Sequence, residues 1–374
     1  MRQGTCETEV FVVGGGPAGL AAALAARQAG FDVTVADCAH PPIDKACGEG
    51  IMPDGLAVLC RLGVRLDPLQ VAPFVGIRFV NGAQQVEARF PAGAGLGIRR
   101  TVLHQQLVTA ATRVGVSLLW NRRVNGLSDG RVLLDGESVR CRWVIGADGQ
   151  NSRLRRHSGL NRMRSEACRF GFRQHYLVAP WSKFVEIHWS DCGQMCVTPV
   201  AEEEVCVVFI TRQKTMRFEE AMSTFPALAS RLRGIPLEKR LLGAVTASRR
   251  LEKVHRGNVA LLGEAAGSVD AITGEGLAIA FRQAIALADA LRAEDLSLYE
   301  AAHKRIMWLP RAMAALMLSM DSHPVLRKRA FCAFEAQPEI FARMLAIHTG
   351  AIPPVNFGVS NTLSLGWHLL TAMV

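Results

Sequence analysis

The chain has 374 residues, of which 49% are hydrophobic, and its 43 Lys and Arg against 33 Asp and Glu give a formal net charge of +10. This hydrophobic content excludes a disordered chain, and the length exceeds that of most single domains, so we expect two closely joined domains. The sequence has no run of eighteen apolar residues, which argues against a membrane-spanning helix.

The excess positive charge indicates a solvated, arginine-rich surface. The sequence has only two tyrosines and no recognisable nucleic-acid module, so we predict no nucleic acid partner. The ten cysteines form no C-x-x-C pair and the first strand begins too early for a signal peptide, which predicts a cytoplasmic protein without a metal site. Apolar stretches at 316–320 and 363–374 leave a peripheral membrane contact open, as an alternative to packing on the body.

The chain begins with a predicted β-α-β unit. An apolar strand at 9–13 runs into three glycines, a helix of small residues follows at 17–29, and a strand at 32–36 ends at Asp37. Further along, the pattern predicts a hairpin at 76–90, a helix at 101–114, a second hairpin at 131–142 and a buried strand at 143–147.

The middle of the chain is rich in predicted strands and the last part is helical. Strands are expected at 170–178, 184–189, 194–198 and 205–211, then a helix at 218–233 and strands at 241–248 and 258–262. A helix follows at 275–292, and the chain from 297 onward is predicted to be helical with breaks at Pro310, Pro324 and Pro338. Nucleotide-type segments flank the strand-rich segment, so we predict one interleaved architecture.

The glycines after the first strand form the pattern G-x-G-x-x-G at Gly14, Gly16 and Gly19. In this pattern the first glycine permits a tight turn, the second lets the backbone approach a pyrophosphate, and the third allows close packing of helix and strand. The N-terminus of the following helix offers free N–H groups to phosphates. Asp37 stands at the end of the second strand, where its carboxylate can bind ribose hydroxyls. Together these features predict a dinucleotide site.

Several later segments resemble motifs of flavoprotein hydroxylases and geranylgeranyl reductases. The G-A-D-G run containing Asp148 and the G-N-V-A-L-L-G-E run ending at Glu264 are similar to two flavin motifs of that group, and the G-E-G-L run at 274–277 resembles its turn at the flavin ring. Arg100 begins an R-x-x-L-H element, and Lys45 begins a K-A-C-G-E-G loop similar to that of the reductase branch. The chain thus resembles FAD-dependent oxidoreductases of the para-hydroxybenzoate hydroxylase and geranylgeranyl reductase superfamily.

This resemblance implies an α/β fold, α+β overall, in which a Rossmann-like FAD-binding domain with a parallel sheet is interleaved with an antiparallel β-sheet substrate domain and followed by a helical C-terminal region. The FAD-binding domain would comprise residues 1–75, 101–165 and 251–296. The substrate domain would comprise 76–100 and 166–250, and the C-terminal region 297–374.

The resemblance also implies FAD as cofactor, with NAD(P)H as a transient reductant. The implied FAD contacts are Gly14, Gly16, Pro17, Ala18, Gly19, Asp37, Lys45, Arg100, Asp148, Gly263, Glu264, Gly274, Gly276 and Leu277.

Three departures from the hydroxylase motif bear on the reaction. Glu264 stands in place of an aspartate, Gly267 in place of a histidine and Ala271 in place of a proline, which favours C=C reduction of a hydrophobic isoprenoid, aromatic or polyketide-like molecule. Hydroxylation of an aromatic or polyketide-like substrate is the alternative, because the strand at 194–199 lacks the tryptophan typical of the reductase branch. A flavoprotein that modifies another polypeptide is a third possibility.

The catalytic candidates are Cys47, Glu49 and Asp270. Cys47 is either a redox or substrate-lining thiol or a packing residue. Each acid is either a proton donor near the flavin or a carboxylate that caps the backbone. Neither the catalytic residues nor the oligomeric state follow from the sequence.

Overall fold

The computed structural model describes residues 6–128, 131–238 and 240–371. Within these residues the strands are β1 (Cys6–Val13), β2 (Val33–Ala36), β3 (Gly50–Ile51), β4 (Ala72–Phe74), β5 (Gly76–Asn81), β6 (Gln84–Arg89), β7 (Gly95–Gly97), β8 (Ser117–Leu119), β9 (Val124–Ser128), β10 (Arg131–Leu134), β11 (Glu137–Gly146), β12 (Met163–Tyr176), β13 (Val185–Ser190), β14 (Gly193–Ala201), β15 (Glu204–Thr211), β16 (Leu242–Leu251), β17 (His255–Arg256) and β18 (Val259–Leu261). The helices are α1 (Pro17–Gln28), α2 (Pro53–Arg61), α3 (Arg100–Arg113), α4 (Arg153–His157), α5 (Phe218–Ser223), α6 (Pro226–Leu232), α7 (Gly276–Arg292), α8 (Leu296–Ser322), α9 (Pro324–Ala336), α10 (Pro338–His348) and α11 (Val359–Thr371).

The first sheet is parallel at its centre. Its strand order is β17-β18-β11-β1-β2-β8, and β1 pairs in parallel with both β11 and β2. Helices α1, α3 and α7 pack beside it around a core that includes Phe11, Leu20 and Phe281. The carboxyl ends of parallel strands meet at one edge of a sheet, so the loops after β1, β2, β11 and β18 lie together there.

The second sheet has seven strands in the order β16-β12-β15-β14-β13-β5-β6. All its neighbours are antiparallel except β13 and β5, which pair in parallel. The chain leaves this sheet after β6, forms much of the first sheet, and returns to the second sheet with β12. Strands β5 and β13 are therefore joined by a long connection and not by a hairpin, which permits their parallel pairing. Helices α5 and α6 cover part of this sheet, while α8, α9 and α10 pack against β5 and β6.

The predicted fold class is confirmed: the α/β fold combines a Rossmann-like parallel sheet, a mainly antiparallel sheet and C-terminal helices. The domain boundaries stay a prediction. None of the described helices combines the length and the hydropathy needed to cross a membrane.

Three local predictions were wrong. The helix expected at 218–233 is two helices, because Pro226 starts α6 and cannot continue the helix before it. No break occurs at Pro310, which is buried inside the continuous helix α8. The hairpin strand and buried strand expected around 137–147 form one strand, β11. The breaks expected at Pro324 and Pro338 are confirmed, since each proline begins a helix.

Candidate active site

A cavity of about 730 Å³ lies where the carboxyl edge of the parallel sheet faces the seven-stranded sheet. Of the FAD contacts implied by the resemblance, all but Gly19 line this cavity. Cys47, Glu49 and Asp270 line it too. The structure therefore brings the separate sequence motifs to one place, although their contacts with FAD stay a prediction.

The glycine turn has the geometry that a pyrophosphate site requires. Gly14 has φ +108°, and a Cβ there would lie 2.4 Å from the carbonyl oxygen of Ala147. A Cβ at Gly19 would lie 1.8 Å from the carbonyl oxygen of Gly14, so this residue sits behind the turn and sets its packing. Gly16 is different: it caps α1 and lines the cavity, and a Cβ there would meet no protein atom within 4 Å. The open space beside its backbone is where a phosphate group would fit.

Two aspartates fix the loops at this edge. Asp37 accepts hydrogen bonds from the backbone N–H groups of Gly15, at 2.6 Å, and Ala39, at 2.8 Å. Asp148 accepts through Oδ2 from the N–H groups of Arg153 and Leu154, at 2.7 and 3.1 Å. Its other oxygen, Oδ1, is buried and has no hydrogen-bond partner among the described residues.

His104, the last residue of the R-x-x-L-H element, holds the glycine turn from behind. Its Nδ1 accepts from the N–H of Ile43 at 3.3 Å and its Nε2 donates to the carbonyl oxygen of Gly15 at 2.8 Å. Burial lowers the pKa of His104, which agrees with this neutral tautomer.

Arg100 and Lys45 supply positive charge to the cavity wall. The Nε of Arg100 is buried without a partner among the described residues. Lys45 Nζ contacts Glu264 Oε2 at 2.5 Å, and both side chains are about half exposed at the cavity mouth. The buried unpaired atoms of Asp148 and Arg100 and the open space at Gly16 offer an acceptor, a donor and room for a phosphate. The residues present thus fit FAD.

The turn before α7 is also built for close approach. Gly274 has φ +67°, Gly276 begins α7, and a Cβ at either glycine would meet no protein atom within 4 Å. Asp270 accepts from the N–H of Ile272 and so caps the short 3-10 turn that leads into Gly274. It also pairs with the buried Arg169 at 3.0 Å. Asp270 therefore caps the backbone, which is one of the two roles predicted for it, while the role of proton donor stays a prediction.

Glu49 belongs to a buried network that the sequence analysis did not find. Its carboxylate contacts Arg173 at 3.0 Å, His175 Nε2 at 2.6 Å and the N–H of Arg100 at 2.9 Å. On its other side, His175 Nδ1 lies 2.8 Å from Glu238, whose side chain is 39% exposed. A continuous row of hydrogen bonds therefore joins a partly exposed carboxylate to one at the cavity wall.

Arg173 supplies a permanent positive charge to this network. It donates to both carboxylate oxygens of Asp44 at 2.8 Å and is itself buried. Burial alone would lower its pKa, but the hydrogen bonds to Asp44 and the charge of Glu49 raise the pKa above the usual value. The same guanidinium lowers the pKa of Asp44 against the effect of burial.

The network also brings together groups of metal-ligand type, which the sequence did not predict. Ligand atoms of Glu49, His175 and Cys206 lie within 4.8 Å of one another, as do those of His175, Glu204 and Glu238. Arg173 and Arg99 already supply positive charge to these carboxylates. We therefore assign the groups to ion pairing.

The cavity wall formed by the seven-stranded sheet is largely apolar. The lining side chains there include Ile77, Val185, Ile187, Cys196, Val208 and Ile210. Burial raises the pKa of the Cys196 thiol to about 11, which keeps it neutral. Two aromatic residues of this sheet do not line the cavity: Trp189 contacts Phe79 edge-on at 5.5 Å, and Phe172 stacks at 6.4 Å from Phe209.

Comparison with known proteins identifies the family. Residues 7–297 match the FAD binding domain family. The chain is 31% identical over 294 residues to a digeranylgeranylglycerophospholipid reductase of Methanopyrus kandleri, covering 72% of this chain and 76% of that protein. It is 28% identical over 316 residues to a menaquinone reductase of Mycobacterium tuberculosis, covering 77% and 78%. The match to a menaquinone reductase of Mycolicibacterium smegmatis is shorter, with 36% identity over 40% of each chain.

Two further similarities extend over more of the chain. A Bacillus subtilis protein named as an FAD-dependent monooxygenase is 26% identical over 356 residues, covering 86% of this chain and 93% of that protein. A flavoprotein structure from Cytophaga hutchinsonii superposes with a TM-score of 0.80 at 17% identity, covering 97% of this chain and 98% of that one. The chain therefore belongs to the FAD binding domain family and is an FAD-dependent oxidoreductase.

Proposed function

We propose that this enzyme reduces a C=C bond of a hydrophobic, isoprenoid-type small molecule. The observation that carries the proposal is the apolar sheet face, which lines the same cavity as the turn at Gly274 and Gly276. A substrate held on this face would present an apolar chain to the cofactor in a water-poor space.

Two relatives support this substrate class. One is named as a reductase of a digeranylgeranyl lipid and the other as a menaquinone reductase, and each aligns with more than two thirds of this chain.

The loop after Glu264 gives local support for reduction over hydroxylation. Gly267 has φ +107°, and a Cβ there would lie 2.7 Å from the carbonyl oxygen of Arg249. The histidine of the hydroxylase motif does not fit this backbone, so the loop at the cavity is built differently from that of the hydroxylases.

Bound FAD supplies two-electron redox chemistry, and the chain supplies position, polarity and protons. Asp37, Asp148 and Arg100 would hold the cofactor, while the apolar sheet face would hold the substrate and exclude water. Reduction of a C=C bond consumes two electrons and two protons. Glu49 is placed to pass on a proton, because the row Glu238–His175–Glu49 joins the cavity wall to a partly exposed carboxylate.

NAD(P)H is the proposed reductant. The arginine-rich surface after Asp148, which includes the exposed Arg153 and Arg156, offers positive charge to an anionic nucleotide. Anaerobic mixing of the FAD-loaded protein with NADH or NADPH, followed by flavin absorbance, tests this. Bleaching by either nucleotide supports the proposal, and bleaching by dithionite alone would overturn it.

The test of the reaction uses the dithionite-reduced, FAD-loaded enzyme under anaerobic conditions with menaquinone as the probe. After reoxidation of the quinol ring in air, we expect the product to keep two extra hydrogens in its prenyl chain by mass spectrometry, with deuterium incorporated there from heavy water. Unchanged menaquinone, together with unchanged geranylgeranyl lipid in a parallel assay, would overturn the proposed substrate class.

Monooxygenation is the second candidate, favoured by the similarity to the Bacillus subtilis protein. Rapid mixing of the reduced enzyme with oxygenated buffer separates the two. Slow reoxidation without a spectral intermediate supports the reductase proposal, whereas a transient oxygenated flavin spectrum followed by a product with one added oxygen would replace it.

A lipid surface is the proposed source of such a substrate. An apolar row on and before α11 faces outward: Val355, Val359, Leu363 and Trp367 are 84%, 76%, 69% and 66% exposed. The net charge of +10 favours an anionic bilayer. We expect Leu363→Glu to weaken co-sedimentation with phosphatidylglycerol vesicles, while Leu69→Glu, at a leucine 93% exposed in the short turn between α2 and β4, leaves it unchanged. Equal co-sedimentation of the two variants would overturn this contact.

A further inference from the structure

Glu275 separates the two glycines of the turn before α7, and nothing in the proposed function uses it. Gly274 and Gly276 both line the cavity, but the Glu275 side chain is only 1% exposed. The residue caps α7 without any side-chain capping hydrogen bond. Its carboxyl group is therefore buried for some reason other than helix capping.

The charged and titratable groups that face Glu275 come from three helices. Arg282 on α7 lies 3.6 Å from Glu275, but it donates to Asp54 of α2 at 2.7 Å. His348 at the end of α10 places Nδ1 3.5 Å from Glu275 Oε2. Two acids thus share one arginine, and the better hydrogen bond goes to Asp54.

Hydrogen-bond logic assigns the proton in this cluster. His348 Nε2 lies 3.0 Å from the carbonyl oxygen of Thr273, which can only accept, so Nε2 carries a hydrogen. Burial lowers the pKa of His348, so the ring is neutral and Nδ1 is an acceptor. Nδ1 and Glu275 Oε2 have no hydrogen-bond partner among the described residues, and they face each other. The pair is complementary only when Glu275 is protonated.

The charge environment agrees with this assignment. Burial raises the pKa of Glu275 to about 8, Arg282 opposes that effect and Asp54 adds to it. At pH 7, below this value, the protonated carboxyl group predominates, and it ionises as the pH rises through about 8. Solvent can exchange protons with the cluster, because the side chains of Arg282 and Asp54 are 31% and 19% exposed.

We propose that Glu275 takes up a proton when the bound FAD is reduced, so that the charge of the turn follows the redox state of the cofactor. Above the pH at which Glu275 ionises, an external reductant such as dithionite delivers two electrons to FAD, one proton adds to the cofactor, and a second proton from solvent adds to the Glu275 carboxylate. The physical reason is repulsion: reduction of FAD bound in this cavity would add negative charge near the turn that carries the buried Glu275, which would raise the pKa of its carboxyl group further. The proposal depends on the FAD site and not on which substrate the enzyme reduces.

The test is a spectroelectrochemical titration of the FAD-loaded protein between about pH 6 and about pH 10, without substrate. Each proton taken up per electron pair contributes about 30 mV per pH unit to the slope of the midpoint potential. We expect the slope of the wild-type protein to be steeper than that of Glu275→Gln by about 30 mV per pH unit above pH 8, and the two slopes to agree below it.

Two further variants keep the outcome clear. Glu300→Gln changes a part-buried carboxylate on α8 that pairs with Lys304, so it should retain the wild-type slope. Asp54→Asn frees Arg282 for Glu275 and removes a neighbouring negative charge, so the steep region should begin at lower pH. This variant also serves if Glu275→Gln fails to retain FAD.

Equal slopes for the wild-type protein and Glu275→Gln would overturn the proposal, as would an unmoved steep region in Asp54→Asn. Failure to reduce menaquinone would leave this result unaffected, so the two proposals can fail separately.

Discussion

The two walls of the cavity are built by different means. The wall at the parallel sheet consists of backbone turns, in which Gly14 permits close backbone packing, Gly16 and Gly274 leave open space, and Asp37 and Asp148 hold the loops. The wall at the seven-stranded sheet consists of mainly apolar side chains, and the buried charged residues of that sheet, which do not line the cavity, pair with residues far away in sequence, as Glu186 does with Arg78 and Arg173 with Glu49. Substitutions that add a side chain to a glycine should therefore be most damaging at the first wall, whereas substitutions that remove a charge should be most damaging in the seven-stranded sheet.

The largest effect is expected from substitutions in the glycine turn. In Gly14→Val the new side chain would clash with the Ala147 carbonyl, and a branched residue would be forced into a left-handed conformation. We therefore expect the free energy of unfolding to fall by about 3 kcal/mol or more and FAD binding to be lost. Gly16→Val has space and an ordinary φ of −69°, so the apoprotein should unfold at the wild-type temperature while FAD affinity falls at least about tenfold. Thermal unfolding and FAD fluorescence titration measure both quantities. Unchanged affinity in Gly16→Val would contradict the phosphate site.

Arg173→Met tests the charge network behind the cavity. The substitution leaves Glu49 and Asp44 without their shared cation, which should lower the free energy of unfolding by about 3–5 kcal/mol. Urea denaturation measures it, and Arg65→Met, at an exposed position, should change stability by less than about 0.5 kcal/mol. If the two variants were equally stable, the network would not be a structural element.

Glu186 gives a pH-dependent test of the seven-stranded sheet. Burial alone would raise its pKa, but hydrogen bonds from His188, Trp181 and Arg78 lower it from 4.5 to about 2. A depressed carboxyl pKa stabilises the folded state above pH 4.5, and that stabilisation disappears as the pH falls toward 2. Glu186→Gln should therefore cost about 3 kcal/mol at pH 7 and little near pH 2, as measured by denaturation at each pH. A cost independent of pH would contradict this assignment.

The smallest effect on stability is expected at the cavity mouth. Lys45 and Glu264 are about half exposed, so Lys45→Met should lower the free energy of unfolding by no more than about 1 kcal/mol. FAD affinity should fall in the same variant, whereas Glu264→Asp, which keeps the charge, should retain FAD. A stability loss as large as that of Arg173→Met would show that this pair belongs to the core.

The sequence was most informative where the structure depends on neighbouring residues. The glycine turn, Pro17 at the start of α1 and Asp37 after β2 lie within 24 residues, and their spacing alone predicts the first half of the site. The later flavin motifs are equally local, and their resemblance to known motifs placed them at the same cavity.

The network around Glu49 could not be predicted in this way. Glu49 and His175 are 126 residues apart, and they meet only because β12 lies beneath the loop at 45–50. No local pattern signals such a pair, since an isolated histidine in a strand is compatible with ordinary core packing. Helix α8 shows the same limit: Pro310 predicts a break from local rules, but burial against the body keeps the helix continuous.

The placement of the cavity has a consequence for synthesis of the protein. The predicted FAD contacts that line the cavity begin with Gly14 and end with Leu277, which lies in the first turn of the long helix α7. At typical translation rates of about 5–20 residues per second, roughly 15–50 s separate the two residues as they leave the ribosome. The pyrophosphate turn therefore exists in the nascent chain well before the residues that close the site. FAD can make all of its predicted contacts only after most of the chain has been synthesised. We therefore expect the supply of FAD to affect the stability of late folding intermediates and not of early ones.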